Sequence, residues 1–89
     1  MNRDEALVIV RELMAMHVGT EPDAIQADMH VVDDLGLDSV DAVELLITLE
    51  RQTGLRFEVD QLDDIATVAD VVTQLVAASV SARPVGGRE

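Results

Sequence analysis

The sequence predicts an all-α domain built on three long helices. Three segments of its 89 residues carry apolar side chains at the three- and four-residue spacing of a helix. Helix start and stop residues flank these segments. The stretch that alternates apolar and polar residues, Leu55 to Val59, is short and has no second strand to pair with. Since a chain of this length forms one small core, the helices must pack on one another.

Helix one is expected to run from Arg3 to Val18. Asn2, followed three residues later by Glu5, forms a capping-box pattern at its start, with Asn in place of the more usual Ser or Thr. Gly19 can supply the left-handed turn that ends the helix. The apolar residues at helical spacing are Leu7, Val10, Leu13 and Met14. His17 continues this spacing and should border the core.

The stretch from Thr20 to Asp38 keeps no regular period and is predicted to be a loop, with one helical turn at Pro22 to Ile25. A loop of this length in a small domain is usually functional or locally structured. Apolar residues recur along it often enough to hold it against the core: Ile25, Met29, Val31, Leu35 and Leu37. The loop should therefore be fixed in place, and it should position the start of helix two.

Helix two is expected to begin at Ser39 and to end near Thr53 and Gly54. Helical spacing assigns to its core face Ala42, Leu45, Leu46 and Leu49. A second apolar stripe lies beside that face and consists of Val40, Val43 and Ile47. The remaining side carries Asp41, Glu44 and Thr48. A helix with a purely structural role has no need of the second stripe.

Ser39 is the predicted functional residue of the chain. A helix start leaves its first N–H groups unpaired and carries roughly half a positive charge, so a phosphate on Ser39 would lie in a favourable field. Gly36 permits a turn with positive φ, which would lift the serine clear of the loop. Asp38 can cap the helix and fix the geometry of the serine. The Ser39 hydroxyl is therefore suited to carrying a phosphodiester.

After helix two, the alternation of Leu55 to Val59 predicts an extended segment that buries Leu55, Phe57 and Val59. Asp60 to Ile65 is expected to form a short turn of helix. Thr67 and Asp70 form a second capping-box pattern before the last helix, which should run from Val68 to about Val80. Ser81 to Glu89 is rich in Gly and Pro and poor in apolar residues, so it is predicted to be a frayed tail.

Composition excludes several functions. The net charge of −12 argues against nucleic acid as a partner and favours basic proteins. The chain has no cysteine, so disulfides, thiolate chemistry and cysteine metal sites are excluded. No segment has the apolar length of a membrane span or the pattern of a secretory signal, so the expected location is the cytoplasm. With one aromatic residue the core must be aliphatic, and Met14, Met16 and Met29 are interpreted as core filler.

Metal and catalytic sites are not predicted. Asp33, Asp34, Asp38 and Asp41 lack the alternating ligands and closing glutamate of a calcium-binding EF-hand loop. His17 and His30 lie in different elements, and neither has a metal-ligand spacing.

Two other functions compete for Ser39. Taken alone, a serine at this position is more often an ordinary helix-start residue, and the domain would then be an unmodified helical interaction module that uses helix two. A hydrolase with Ser39 as nucleophile would need a general base held nearby, and neither histidine has a context that supplies one.

From Arg3 to Val80 the chain resembles an acyl carrier protein. The resemblance rests on the capped first helix, the long loop, the Asp-Asp-Leu-Gly-Leu-Asp-Ser stretch that ends at Ser39, the Val-Glu-Leu pattern after it, and the Asp-Ile-Ala-Thr-Val-Ala-Asp-Val run before and within the last helix. It implies a bundle of three long helices and one short one, forming a carrier domain over residues 1–80 with a tail at 81–89. A chain beginning with Met1 resembles the dissociated type of fatty-acid or polyketide systems.

The resemblance also implies a chemistry. Ser39 matches the serine that carries 4′-phosphopantetheine, whose thiol holds acyl groups as thioesters, and Asp38 matches the residue before it. The implied protein is a monomeric, non-catalytic carrier that works with a phosphopantetheinyl transferase, a ketosynthase, an acyltransferase and other synthase enzymes. The positions that match partner-facing residues of the second helix are Val40, Asp41, Val43, Glu44, Ile47 and Glu50.

Some features bear on the type of carrier. Arg51 stands where fatty-acid carriers are often acidic, and Val31 stands where they commonly have phenylalanine. The Gly-Leu-Asp-Ser sequence favours an acyl carrier over a carrier of aminoacyl or peptidyl groups, which is the remaining alternative within the family.

Overall fold

The computed structural model describes residues 1–57 and 65–81. Within them the chain forms α1 (Arg3–Val18), a 3₁₀ turn (Pro22–Ala24), α2 (Ser39–Thr53) and α3 (Val68–Ser81). The described residues contain no strand, and their isolated antiparallel bridge joins His30 to Thr67. The all-α prediction is confirmed. The short helix predicted at Asp60 to Ile65 and the predicted tail fall almost entirely outside the described residues.

Reciprocal caps determine where α1 and α3 begin. Asn2 Oδ1 accepts a hydrogen bond from the Glu5 N–H at 2.8 Å, and Glu5 Oε1 accepts one from the Asn2 N–H at 3.0 Å. At α3, Thr67 Oγ1 accepts from the Asp70 N–H at 3.3 Å, and Asp70 Oδ2 accepts from the Thr67 N–H at 2.9 Å. Both predicted capping boxes are therefore confirmed, and each satisfies backbone donors that a helix start leaves unpaired.

The core lies where the three helices and the long loop meet. Most of the apolar positions predicted for α1 and α2 are buried there, namely Val10, Leu13, Met14, Leu45, Leu46 and Leu49, while Leu7 and Ala42 are half-buried. α3 contributes Val68, Val71, Val72 and Leu75. Ala6 and Ala15 are also buried, although the apolar pattern did not include them. Met16 is 71% exposed, so its interpretation as core filler was wrong. It follows the buried Met14 by two residues, about 200° further round the helix, and therefore faces outward.

Backbone hydrogen bonds attach the long loop to the start of α3. The Val31 N–H donates to the Ala66 carbonyl at 2.9 Å, and the Ala69 N–H donates to the Ala27 carbonyl at 2.8 Å. The predicted apolar anchors of the loop are buried at Ile25, Val31 and Leu37 and half-buried at Met29 and Leu35. The prediction that the loop is fixed in place is confirmed.

The segment after α2 is held by a side chain of α2. Glu50 Oε2 accepts a hydrogen bond from the Phe57 N–H at 2.8 Å, and Leu55 and Phe57 pack half-buried against the core. The predicted burial of Leu55 and Phe57 is therefore seen, whereas Val59 lies outside the described residues. In the described part of the chain, none of the helices combines the length and the apolar composition that crossing a membrane requires.

Candidate functional site

Ser39 is an exposed residue at the first position of α2. Asp38 precedes it in extended conformation and is the N-cap, as predicted. Asp38 Oδ1 accepts a hydrogen bond from the Asp41 N–H at 2.9 Å, and Asp41 Oδ2 accepts one from the Asp38 N–H at 3.2 Å. This reciprocal cap spans Ser39, so the backbone on both sides of the serine is fixed while its hydroxyl stays accessible.

The first amides of α2 are available to an anion. Among the described residues, the N–H groups of Ser39 and Val40 donate to no carbonyl or side chain, and the Ser39 hydroxyl has no hydrogen-bond partner. Unpaired N–H groups at a helix start, together with the helix dipole, favour a phosphate at this point. The local geometry therefore fits a phosphodiester on Ser39.

A turn at Gly36 directs the chain toward the surface just before the serine. Gly36 has a φ of 71°, which an L side chain rarely adopts, and its N–H donates to the Val32 carbonyl at 2.9 Å. Leu37 then returns to the core, where it is 4% exposed, and its N–H donates to the Val31 carbonyl at 2.9 Å. With Leu37 buried, Asp38 and Ser39 come out on the surface.

His30 organises the same loop through a cap that the sequence did not reveal. Its Nδ1 accepts hydrogen bonds from the Val32 N–H at 3.3 Å and the Asp33 N–H at 3.2 Å, and Asp34 Oδ2 accepts from the His30 N–H at 2.7 Å. Nδ1 is thus directed at the backbone donors of the turn, and Asp33 Oδ2 lies 3.8 Å from it. A carboxylate four residues after a histidine is the only signal of this cap in the sequence.

The predicted partner-facing residues of α2 do not all lie on one surface. Val40 is 65% exposed and Ile47 is 46% exposed, with Val43 half-buried between them and Glu44 exposed beside them. We call these four residues the outer face of α2. They form the mixed apolar and acidic surface that the second stripe predicts.

Two other carboxylates of α2 bind within the domain. Asp41 lies about 100° or more round the helix from Val40, Val43 and Ile47, on the side where α1 contacts α2. Asp41 Oδ1 lies 3.0 Å from His17 Nε2 on α1, and the two side chains are 30% and 28% exposed. Glu50 accepts the Phe57 N–H described above. Asp41 and Glu50 were expected on the partner surface, but the structure places both in intramolecular hydrogen bonds.

Hydrogen bonds hold Asp41 in its ionised form. The pKa of Asp41 is lowered from 3.8, chiefly because its carboxylate accepts the Asp38 backbone N–H and next because it bonds His17. Donors to the charged form favour that form. The carboxylate is therefore charged at neutral pH, beside the start of α2.

The core below α2 contains a small apolar cavity of about 30 Å³, large enough for a water molecule. Its lining is aliphatic and includes Leu37, Leu46 and Val71. In residues 1–57 and 65–81, no group of three His, Asp or Glu side chains could hold a metal ion.

Comparison with known families gives one match over most of the chain. Residues 8–75 match the model of the phosphopantetheine attachment site family. An acyl carrier protein of Saccharopolyspora erythraea is 34% identical over 91 aligned positions, which cover 94% of this chain and 96% of the relative. An acyl carrier protein of Exiguobacterium sibiricum is 37% identical over 75 positions, which cover 84% of this chain and 95% of the relative.

Solved structures give the same fold. An acyl carrier protein from Thermotoga maritima superimposes with a TM-score of 0.74 at 21% identity, covering 90% of this chain and 93% of that one. A free-standing peptidyl carrier protein from an Acinetobacter baumannii secondary metabolic pathway superimposes with a TM-score of 0.72 at 30% identity, covering 85% of this chain and 94% of that one. The helical arrangement that the sequence predicts is thus confirmed.

Proposed function

The chain belongs to the acyl carrier proteins, the phosphopantetheine-binding carriers, and we propose that Ser39 is the residue to which its 4′-phosphopantetheine is attached. The observation that carries this proposal is the exposed Ser39 hydroxyl at the capped start of α2. It lies within the matched residues 8–75. The unpaired amides of Ser39 and Val40 supply the field that a phosphodiester needs.

Loading is a phosphoryl-type transfer from coenzyme A. The Ser39 hydroxyl oxygen bonds to the phosphorus that bears pantetheine, and the bond from that phosphorus to the bridging pyrophosphate oxygen breaks. Adenosine 3′,5′-bisphosphate leaves, and the hydroxyl proton passes to a base of the transferase. No side chain of the carrier is required to accept that proton.

The residues of this chain then present the attached group. When bound, 4′-phosphopantetheine supplies a thiol that holds an acyl group as a thioester. The reciprocal cap between Asp38 and Asp41 keeps the backbone at Ser39 rigid, so the group swings from a fixed point. Tethering raises the local concentration of the acyl group at each partner enzyme. The domain itself acts as a substrate of those enzymes and has no catalytic role of its own.

The outer face of α2 is the proposed docking surface for those enzymes. Glu44 provides an exposed carboxylate that attracts a basic patch on the partner. Val40, Val43 and Ile47 provide apolar area that becomes desolvated in the complex. The partner classes are a phosphopantetheinyl transferase, a ketosynthase, an acyltransferase and other synthase enzymes. Asp41 and Glu50 contribute charge near this surface, although their carboxylates bind within the domain.

The proposed cargo is an acyl intermediate of polyketide or fatty-acid synthesis. The acyl carrier proteins of S. erythraea and E. sibiricum, together with the Gly-Leu-Asp-Ser sequence, favour acyl groups. The peptidyl carrier protein with 30% identity and the same fold keeps aminoacyl or peptidyl cargo as the second candidate.

Intact mass spectrometry tests the attachment residue. Purified protein is weighed before and after incubation with coenzyme A, magnesium and a promiscuous phosphopantetheinyl transferase. The expected result is a gain of one phosphopantetheine group, absent in Ser39→Ala. Ser79→Ala, which removes a serine hydroxyl from α3, is the matched control and should gain the same mass as the unchanged protein. If a folded sample without the group gained no mass, Ser39 would be a helix-start residue of an interaction module.

A further inference from the structure

A histidine on α1 is joined to the helix that bears Ser39. His17 Nε2 lies 3.0 Å from Asp41 Oδ1, and among the described residues this is the only hydrogen bond between α1 and α2. We propose that His17 is a positioning residue for the modification of Ser39. This inference depends on the proposed attachment of phosphopantetheine at Ser39.

The connection from His17 to the serine consists of consecutive hydrogen bonds. The two oxygens of Asp41 have different partners: Oδ1 bonds His17, and Oδ2 accepts the Asp38 N–H at 3.2 Å. Asp38 Oδ1 in turn accepts the Asp41 N–H at 2.9 Å. His17 therefore restrains the carboxylate that closes the cap around Ser39. The end of α1 and the start of α2 are held in register by this one polar link.

The partner of His17 determines which of its ring nitrogens donates the hydrogen bond. A carboxylate only accepts hydrogen bonds, and Asp41 is ionised at neutral pH, so His17 must carry a proton on Nε2. A second carboxylate of α2, Glu44, borders the same surface groove as His17. His17 also lies in the last turn of α1, where the carbonyl ends of the helix favour a proton donor. The ionised Asp41 carboxylate and the end of α1 thus both favour a donor at Nε2.

Removing the imidazole should alter turnover and leave recognition unchanged. Without His17, Asp41 keeps its charge but loses the contact that fixes its orientation, so the start of α2 gains freedom. The Ser39 hydroxyl then reaches the reactive geometry less often, which lowers kcat. Val40, Val43 and Ile47 of the outer face lie about 100° or more round the helix from Asp41, and Glu44 keeps its charge, so KM should not change.

The experiment measures steady-state modification of the full chain by a promiscuous phosphopantetheinyl transferase with coenzyme A and magnesium. His17→Ala should lower kcat about three-fold, as expected for loss of an exposed charged hydrogen bond, without changing KM. His17→Gln should restore kcat, because the Gln amide can donate to Asp41. Met16→Ala removes a neighbouring side chain that is 71% exposed, and it should match the unchanged protein.

Amide hydrogen exchange on the unmodified protein provides a readout independent of the transferase. His17→Ala should accelerate exchange at the Asp38 and Asp41 amides about three-fold relative to amides of α3. His17→Gln should return them to the original rate. A general loss of stability would accelerate exchange in all helices alike, and that result would overturn the positioning role.

Three kinetic outcomes would also contradict the inference. An unchanged kcat in His17→Ala would show that the link does not position the serine. An increase in KM alone would make His17 a direct contact of the transferase. Equal impairment of His17→Gln and His17→Ala would show that the donated hydrogen bond is not the cause. In each of these cases the unchanged protein still gains phosphopantetheine at Ser39, whereas failure of the proposed function would leave it unmodified.

Discussion

The Val68 N–H donates a hydrogen bond to the Met29 carbonyl at 2.9 Å. Val68 is fully buried at the start of α3, and Met29 lies in the long loop that leads to Ser39. This hydrogen bond thus joins two backbone segments that are far apart in the sequence. Because the loop is attached to α3, the start of α2 has a defined position. The position of Ser39 therefore depends on contacts throughout the domain.

The pH dependence of stability should depend on Asp70, which caps the start of α3. Its Oδ2 accepts the N–H groups of Thr67 and Ala66, and these bonds lower the pKa of Asp70 from 3.8. Asp70 therefore binds a proton less readily in the folded state than in the unfolded state. The Asp70 carboxylate therefore stabilises the fold fully at pH values above its ordinary pKa of 3.8, and this stabilisation is lost as the pH falls through the lowered pKa of the folded state.

Urea unfolding of Asp70→Asn and the unchanged protein between about pH 6 and pH 2 measures this contribution. The difference in unfolding free energy should be largest and constant at the upper end and should shrink in acid. Asp28→Asn removes an exposed carboxylate of the loop and is the control, since it leaves these bonds intact. If the difference in unfolding free energy increased on acidification, the prediction would be wrong.

Gly36→Ala should destabilise the protein by about 1–2 kcal/mol, the usual cost of a left-handed backbone for an L side chain. Nothing lies within 4 Å of the added Cβ, so the cost arises from the backbone φ of 71° alone. Gly36→Asn should cost less, because Asn tolerates this conformation better. Chemical denaturation checks both values. Equal losses for Ala and Asn would point to a cause other than φ.

Glu44→Lys should slow loading of the carrier roughly five-fold at low salt, in line with ~1 kcal/mol for an exposed charge interaction. The change should appear in KM, and salt should reduce it by screening. Glu12→Lys makes the same charge change at an exposed position of α1 and is the matched control. Unchanged loading kinetics for Glu44→Lys at low salt would rule out the proposed role of this carboxylate in docking.

Ile47→Gln should weaken docking while leaving stability within about 0.5 kcal/mol, because Ile47 is 46% exposed in the free domain. Leu46→Ala, one residue earlier, should cost about 2–5 kcal/mol of stability, since Leu46 is 8% exposed. Thermal unfolding and loading kinetics separate the two effects. Val8→Gln on α1, where Val8 is 54% exposed, should change neither. A large stability loss in Ile47→Gln would place that residue in the core.

The helices and their ends could be predicted from local pattern. The α1 limits Arg3 and Val18 follow from a capping box and a glycine, and these signals lie within a few residues of the positions they determine. The core faces of α1, α2 and α3 follow from helical spacing. Ser39 stood out for the same reason, because the loop, the glycine and the helix start that surround it are contiguous in sequence.

The contacts between elements could not be predicted in this way. Asp41 and Glu50 carry the same charge as Glu44 and lie on the same helix. The neighbouring sequence does not show that the carboxylates of Asp41 and Glu50 bind within the domain, whereas that of Glu44 remains exposed. Asp41 meets His17 and Glu50 meets the Phe57 amide only because the packing of the elements brings these groups together. Similarly, the cap made by His30 requires the turn that follows it.

By itself, the sequence determined the all-α class, the helix limits, the aliphatic core and the serine at the start of α2. Each of these depends on interactions over a few residues or on hydrophobic periodicity, so the physical cause is local. The tertiary structure alone decided which carboxylates remain on the outer face of α2 and how α1 restrains the start of that helix. These depend on distances between residues remote in sequence, which packing sets and local pattern does not encode.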